Sequence, residues 1–235
     1  MAVSFDFDGQ VVLITGAGGA LGSATAAALR DAGATVCAAD VIDPADEAYH
    51  LDPAGVSTYR VDFTDEVAVA GAIDDVIDDH GRLDALVCTA GTWRGGDPIE
   101  ETNVAEVELL LDVNVRTTML AAKHALPHLQ QTGGSIVTVA SQSSLEGGEG
   151  DGPYRASKAA VRLLTESIAA ENEGVVRANA ILPDVIDTPA NREMMPDADF
   201  EAWVDPAEIA GVIQFLCSDA AGPITGGSIP VGAGA

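Results

Sequence analysis

Positive charge is scarce in this chain. Lysine occurs only twice in 235 residues, as Lys123 and Lys158, and with arginine the cations total 11 against 37 Asp and Glu, a net charge of −26. A surface of that sign repels phosphate, which excludes nucleic acid and anionic membranes as partners. Long apolar runs are also missing; none approaches the roughly 20 residues of a membrane-spanning helix. The first residues carry Asp6 and Asp8 and no basic segment, so no signal peptide is expected and the protein is assigned to the cytoplasm. Cysteine is limited to Cys37, Cys88 and Cys217, an odd number, far apart and without metal-ligand spacing. Buried reduced thiols are expected, with no disulfide and no metal site.

What is present is enough for a core: 47% of the residues are hydrophobic, too many for a disordered chain. The acids recur along helical stretches, at Asp74, Asp75, Asp78 and Asp79, then at Glu100, Glu101, Glu106 and Glu108, with hardly a cation between them. Such faces repel one another in dilute buffer. At about 1 M salt the Debye length is only ~3 Å and the repulsion is screened. A halophilic host with a salty cytoplasm is the expectation, and a merely acidic proteome the alternative.

Short apolar runs alternate with helical patterns from end to end. Strands are predicted at 10–14 (QVVLI), 35–39, 57–61, 85–88, 135–140, 175–182 and 228–231. Helices are predicted at 20–31, 65–80, 104–130, 153–171 and from Pro206 to Cys217, the last with Asp205 as N-cap and Glu208 three residues later. No linker or internal repeat interrupts the pattern. All-apolar strands alternating with helices define an α/β fold: one Rossmann-type, doubly wound parallel sheet of about seven strands, covered on both faces, as a single domain over 1–235.

The first predicted strand runs into Thr15-Gly16-Ala17-Gly18-Gly19-Ala20-Leu21-Gly22 and then a helix. Small residues at Gly16, Gly18, Gly19, Ala20 and Gly22, with Leu21, let a pyrophosphate approach the backbone and rest on the helix's positive end. The second strand ends at Asp40, where a carboxylate accepts the hydroxyls of an adenosine ribose and repels a 2′-phosphate; no Arg or Lys follows directly. The cofactor expected is therefore NAD rather than NADP. Further on, Tyr154 and Lys158 stand four residues apart on one helical face. Ser141 lies just past the fifth strand, at the carboxyl edge where such sheets bind ligands. Asn114 sits inside a helix, where Asn needs a reason.

In these residues the chain resembles the short-chain dehydrogenase/reductase family over essentially its whole length. The turn from Thr15 to Gly22 is similar to the family's Thr-Gly-x-x-x-Gly-x-Gly, and its Asn–Ser–Tyr–Lys tetrad falls on Asn114, Ser141, Tyr154 and Lys158. The resemblance implies Asp62 and Phe63 beside the adenine, Ala90 and Gly91 after the fourth strand, and Pro183, Ile186 and Thr188 about the nicotinamide. It also implies that Tyr154 exchanges a proton with substrate while hydride moves. In that chemistry Lys158 and the oxidised ring lower the phenol's pKa, Ser141 orients the substrate oxygen, Lys158 holds ribose hydroxyls and Asn114 holds a water. A homodimer or homotetramer is implied as well. Departures are Ala20 for the middle Gly, Cys88-Thr89 for an Asn pair, Asp184 for a Gly, and a tail, Val231-Gly232-Ala233-Gly234, without its usual acid. The Cys88-Thr89 change leaves open a side-chain hydrogen bond to the central sheet, and the role of Asp184 is also open.

A short substrate loop is expected near 188–205. Pro189, Asn191, Arg192, Met194, Met195, Phe200 and Trp203, with Trp93, would form a mostly apolar lining carrying one cation. The function implied is an NAD(H)-dependent oxidoreductase interconverting a secondary alcohol, sugar or other hydroxy compound and its carbonyl form. Two alternatives stand beside it. The loop is also similar to that of dihydropteridine reductases, whose branch lacks the Ser kept here as Ser141; a non-catalytic NAD-sensing regulator could use the same fold.

Overall fold

The computed structural model describes residues 5–232. The start of the N-terminal segment (1–4), and Ala233 and Gly234 of the tail, lie outside the described residues. Seven strands form one sheet: β1 (Val11–Thr15), β2 (Thr35–Asp40), β3 (Ser57–Arg60), β4 (Ala85–Cys88), β5 (Ser135–Val139), β6 (Arg177–Pro183) and β7 (Ser228–Val231). Their spatial order is β3-β2-β1-β4-β5-β6-β7, and every neighbouring pair is parallel. β1 and β4 are buried at every residue, which is why they read as continuous apolar runs rather than alternating ones.

On one face α1 (Ala20–Asp31) packs against α7 (Pro206–Cys217), with Ala26, Leu29, Ile209, Ile213 and Leu216 in a common core. The other face is covered by α2 (Glu66–His80), α4 (Thr117–Thr132) and α5 (Gly152–Glu171), through residues such as Ile73, Val76, Leu129 and Ile168. The sheet order reverses between β1 and β4, opening a crevice at their carboxyl ends, the usual ligand site of such sheets. Asp65 caps α2, and Asp205 caps α7 by accepting from the Ala207 N–H at 2.7 Å.

Three expectations are refined. The stretch predicted as one helix over 104–130 divides into α3 (Val104–Leu110), a π-helical turn (Leu111–Arg116) and α4. The sixth strand starts at Arg177 because the Val175 and Val176 N–H groups close a turn on the Asn172 carbonyl. A short helix not predicted, α6 (Pro189–Met194), occupies the substrate loop, capped by Thr188. Between β2 and β3 neither the sequence nor the structure has a helix. Residues 41–56 cross over as turns, and Tyr49 and Leu51 from this loop pack into the α1/α7 core.

Candidate active site

The turn after β1 is built as tightly as its glycines imply. Gly16 has φ +68, and a Cβ there would lie 2.7 Å from the Ala90 backbone. A Cβ at Gly22 would lie 2.1 Å from the Gly16 carbonyl oxygen. No side chain fits either position. Gly19 immediately precedes α1, and Ala20, Leu21 and Gly22 form its first turn, so the backbone N–H groups of a helix start face the crevice. At the end of β2, Asp40 is 7% exposed, and its carboxylate accepts from the Gly18 N–H at 2.8 Å and the Ile42 N–H at 3.0 Å. The carboxylate therefore braces the turn.

The substitution after β4 is resolved. Thr89 Oγ1 donates to the Thr15 carbonyl at 2.7 Å, a hydrogen bond tying the end of β4 to β1. Threonine thus maintains the side-chain link to the central sheet that the Cys88-Thr89 change left open, and Ala90 packs against Gly16.

Asn114 lies in the π-helical turn and is 1% exposed. Its Oδ1 accepts from the Thr92 N–H at 2.8 Å; its Nδ2 donates to the Thr92 carbonyl at 3.0 Å and to the Ser157 hydroxyl at 2.9 Å. The side chain's partners are thus protein groups, and its task here is to clamp the 91–92 loop onto α5. The extra residue of a π turn, frequent at functional sites, sets this register.

Tyr154 and Lys158 sit one turn apart on α5, and both line a cavity of about 610 Å3. Lys158 is 6% exposed, and its ammonium donates to the Val139 carbonyl at 2.9 Å. A Cβ on Gly91 would lie 3.1 Å from that nitrogen, so glycine there leaves it room. Burial lowers the Lys158 pKa to about 8. Burial also pushes the Tyr154 phenol above its ordinary value; the Ser141 hydroxyl and Arg155 oppose this and Asp151 reinforces it. Ser141 faces the same cavity, with its hydroxyl 2.8 Å from that of Ser143.

Pro183 and Ile186 also line the cavity, and Ile186 bridges to Val204. Asp184 lines it too, its carboxylate accepting from the Val185 N–H at 2.9 Å. The Thr188 hydroxyl accepts from the Asn191 N–H as the cap of α6. Phe63 is 5% exposed within the α2-side core, so only its backbone could meet a ligand; Asp62 is exposed and holds Thr64 through two hydrogen bonds.

The substrate lining differs from expectation. Trp93, Asn191, Met194 and Met195 reach the cavity. Arg192 does not: it forms a two-point pair with Asp187, at 2.5 and 2.6 Å, and lies over the Phe200 ring, 4.6 Å from its centre. The arginine that lines the cavity is Arg155, which pairs with Asp151 at 2.5 Å and donates to the Ser143 and Glu146 carbonyls. Sequence reasoning missed Arg155, although its position next to Tyr154 was a usable signal. Ser141, Tyr154 and Lys158 thus converge on one cavity, with Asn114 buried beneath the 91–92 loop, and the turn, Asp40 and Gly91 present groups suited to a dinucleotide.

A family model described as enoyl-(acyl carrier protein) reductase, from the short-chain dehydrogenase/reductases, matches residues 16–235. Meso-2,3-butanediol dehydrogenase of Serratia marcescens is 35% identical over 240 residues, covering 97% of this chain and 95% of that protein. Among solved structures, the ligand-free aldohexose dehydrogenase of Thermoplasma acidophilum matches with a TM-score of 0.87 at 29% identity, over 97% of this chain and 94% of that one. Carveol dehydrogenase of Mycobacterium avium, in complex with NAD, matches with a TM-score of 0.85 at 27% identity, over 97% and 98%. The chain belongs to the short-chain dehydrogenase/reductase family and is an oxidoreductase of that family. Among the described residues no helix is long and apolar enough to cross a membrane, and no cluster of His, Cys, Asp and Glu is placed to hold a metal.

Proposed function

We propose that the protein is an NAD(H)-dependent oxidoreductase that interconverts a secondary alcohol, sugar or other small hydroxy compound and its carbonyl form, with Tyr154 as the general acid or base. The observation that carries this reading is the meeting of Tyr154, Ser141 and Lys158 at one cavity on the carboxyl edge of the sheet, beside a turn whose Gly16 and Gly22 accept no side chain. When bound, the nicotinamide supplies or accepts the hydride. The Ser141 hydroxyl hydrogen-bonds the reacting oxygen and orients it. Tyr154 gives that oxygen a proton in reduction and takes one in oxidation. Lys158, buried and charged below about pH 8, holds the nicotinamide ribose and favours the phenolate once the site is complete. Asn114 keeps the 91–92 loop and α5 in register for both.

The charges about the cavity favour a neutral substrate. Apart from Lys158, the lining carries Asp151, Asp184 and an Arg155 already paired, so a carboxylate substrate finds no free cation. That the matched relatives are named as dehydrogenases of butanediol and aldohexose supports the same class. The segment near 188–205 serves as the substrate loop. A cytoplasmic homodimer or homotetramer is part of this reading, supported by exposed Leu111, Met119 and Leu163 on the π turn, α4 and α5.

The test is a panel of alcohols, polyols, sugars, ketones and quinonoid pterin, followed at the nicotinamide absorbance in molar KCl. Turnover of a neutral hydroxy compound is expected, and turnover of the pterin alone would replace this reading. In Tyr154→Phe, turnover should fall at least ~100-fold with NADH binding nearly unchanged, because the ring's packing stays and the proton carrier goes. Retained turnover would overturn the role of Tyr154.

A further inference from the structure

Two side chains that line the 610 Å3 cavity, Gln142 and Asp184, take no part in the chemistry described above. β5 and β6 are neighbours, paired at Val139 and Ile181, so Ser141-Gln142 and Pro183-Asp184 leave the carboxyl edge of the sheet side by side, on strands about 4.8 Å apart. Both residues therefore share the cavity with Ser141 and Tyr154. Asp184 is exposed and Gln142 half-buried, so both are open to a ligand.

One backbone group on β7 holds both of them. The Asp184 N–H donates to the Val231 carbonyl at 2.9 Å, and Gln142 Nε2 donates to the same oxygen at 3.3 Å. With its nitrogen turned to Val231, the Gln142 amide is left with Oε1, an acceptor. Asp184 uses one carboxylate oxygen, Oδ1, on the Val185 N–H at 2.9 Å, which leaves Oδ2. Among the described residues no cation pairs with Asp184. The two cations that line the cavity are engaged elsewhere, Lys158 on the Val139 carbonyl and Arg155 on Asp151. Two oxygens that can only accept thus lie on neighbouring strand ends, beside the residues that would hold the reacting oxygen. Their complement is a ligand that brings hydrogens.

We infer that Asp184 and Gln142 form a subsite for a second hydroxyl of the substrate, so that the enzyme prefers diols, polyols or sugars to simple secondary alcohols. This rests on the secondary-alcohol reading above and narrows it. While Ser141 and Tyr154 hold the reacting oxygen, a hydroxyl on a nearby carbon donates to the Asp184 carboxylate in a charge-assisted hydrogen bond. A further hydroxyl reaches Gln142 Oε1. An ammonium could satisfy the same acceptors, but it is disfavoured. Oxidation removes hydride from the neighbouring carbon, and an adjacent cation opposes the positive character that develops there; the Lys158 ammonium repels it as well. The glycine usual at position 184 in the family offers no such acceptor.

The experiment compares matched pairs, 2-butanol with 2,3-butanediol and cyclohexanol with 1,2-cyclohexanediol, on the full chain in molar KCl, with 3-amino-2-butanol as the cationic analogue. In the native protein kcat/KM should favour the diol of a pair by at least ~10-fold, the size of a hydrogen bond to a charged group. That ratio should fall about tenfold in Asp184→Ala, and about threefold in Gln142→Met, which loses a neutral hydrogen bond. A merely structural role would lower both members of a pair together and leave the ratio as it is. If the alanine variant fails to fold, the ratio is read in Asp184→Asn, which keeps an acceptor for the Val185 N–H and loses the charge. Native ratios near one in both pairs, or a native ratio retained in the Asp184 variant, overturn the subsite and leave the secondary-alcohol reading intact. Faster turnover of 3-amino-2-butanol than of 2,3-butanediol overturns it in favour of an ammonium site. Turnover of no alcohol, polyol or sugar overturns both.

Discussion

In the proposed reading, Lys158 is a single residue that couples cofactor binding to pH. Its folded pKa, about 8, is depressed by burial from the ordinary lysine value of 10.5. The ammonium is therefore present at neutral pH and lost as pH rises through 8, and cofactor affinity should be lost with it. NADH titrations between about pH 6.5 and 9.5 should show the native Kd rising through this range, and Lys158→Met should bind weakly at every pH without that inflection. Asp40 also has two tasks. In the proposed reading it faces the adenosine ribose, and it should make NAD preferred over NADP by about 100-fold in kcat/KM. Because it also accepts from two backbone N–H groups, Asp40→Ala should weaken NAD and lower the ligand-free Tm, by roughly 4–8 °C for about 2 kcal/mol. An unchanged Tm would mean that the Gly18 and Ile42 groups find other partners.

At the scale of elements, caps were the most legible feature. Asp205 marks the start of α7 in the sequence and in the structure, because capping is satisfied by neighbours along the chain. The π turn was illegible, since its register depends on Asn114 meeting Thr92 and Ser157 from distant segments. Arg177 is a second such case. At the start of β6 its guanidinium donates to the carbonyls of Leu216, Cys217, Ser218 and Ala221, satisfying the end of α7 and the turn after it. The positive group also suits the negative end of a helix. Arg177→Met should cost about 2 kcal/mol and lower Tm by roughly 4–8 °C, with turnover at 25 °C nearly unchanged. Thermal denaturation and initial rates on the same samples check both halves.

For the whole molecule, charge is the dominant property. Eight of the eleven Lys and Arg residues already pair with a carboxylate, so most of the 37 acids face solvent with no cation beside them. The melting temperature should climb steadily from dilute buffer to molar KCl, and association should strengthen as the repulsion between subunits of −26 is screened. Scanning calorimetry and light scattering across the salt series provide the check; a flat or falling Tm curve would leave the acidity without this role.

By itself the sequence determined the parallel α/β architecture, the strand and helix order and the glycine turn, because hydrophobic period, caps and forced glycines are local properties written in adjacent residues. It also singled out Asn114, Ser141, Tyr154, Lys158 and Asp40 by spacing and family likeness. Only the tertiary structure decided what those side chains touch: that Asn114 clamps a loop, that Thr89 ties β4 to β1, and that Arg155 rather than Arg192 faces the cavity. Only the fold brought Tyr49 onto Gly18, 31 positions earlier in the chain. Such contacts join residues distant in sequence, and they are set by how the loops close over the sheet, which no local pattern encodes.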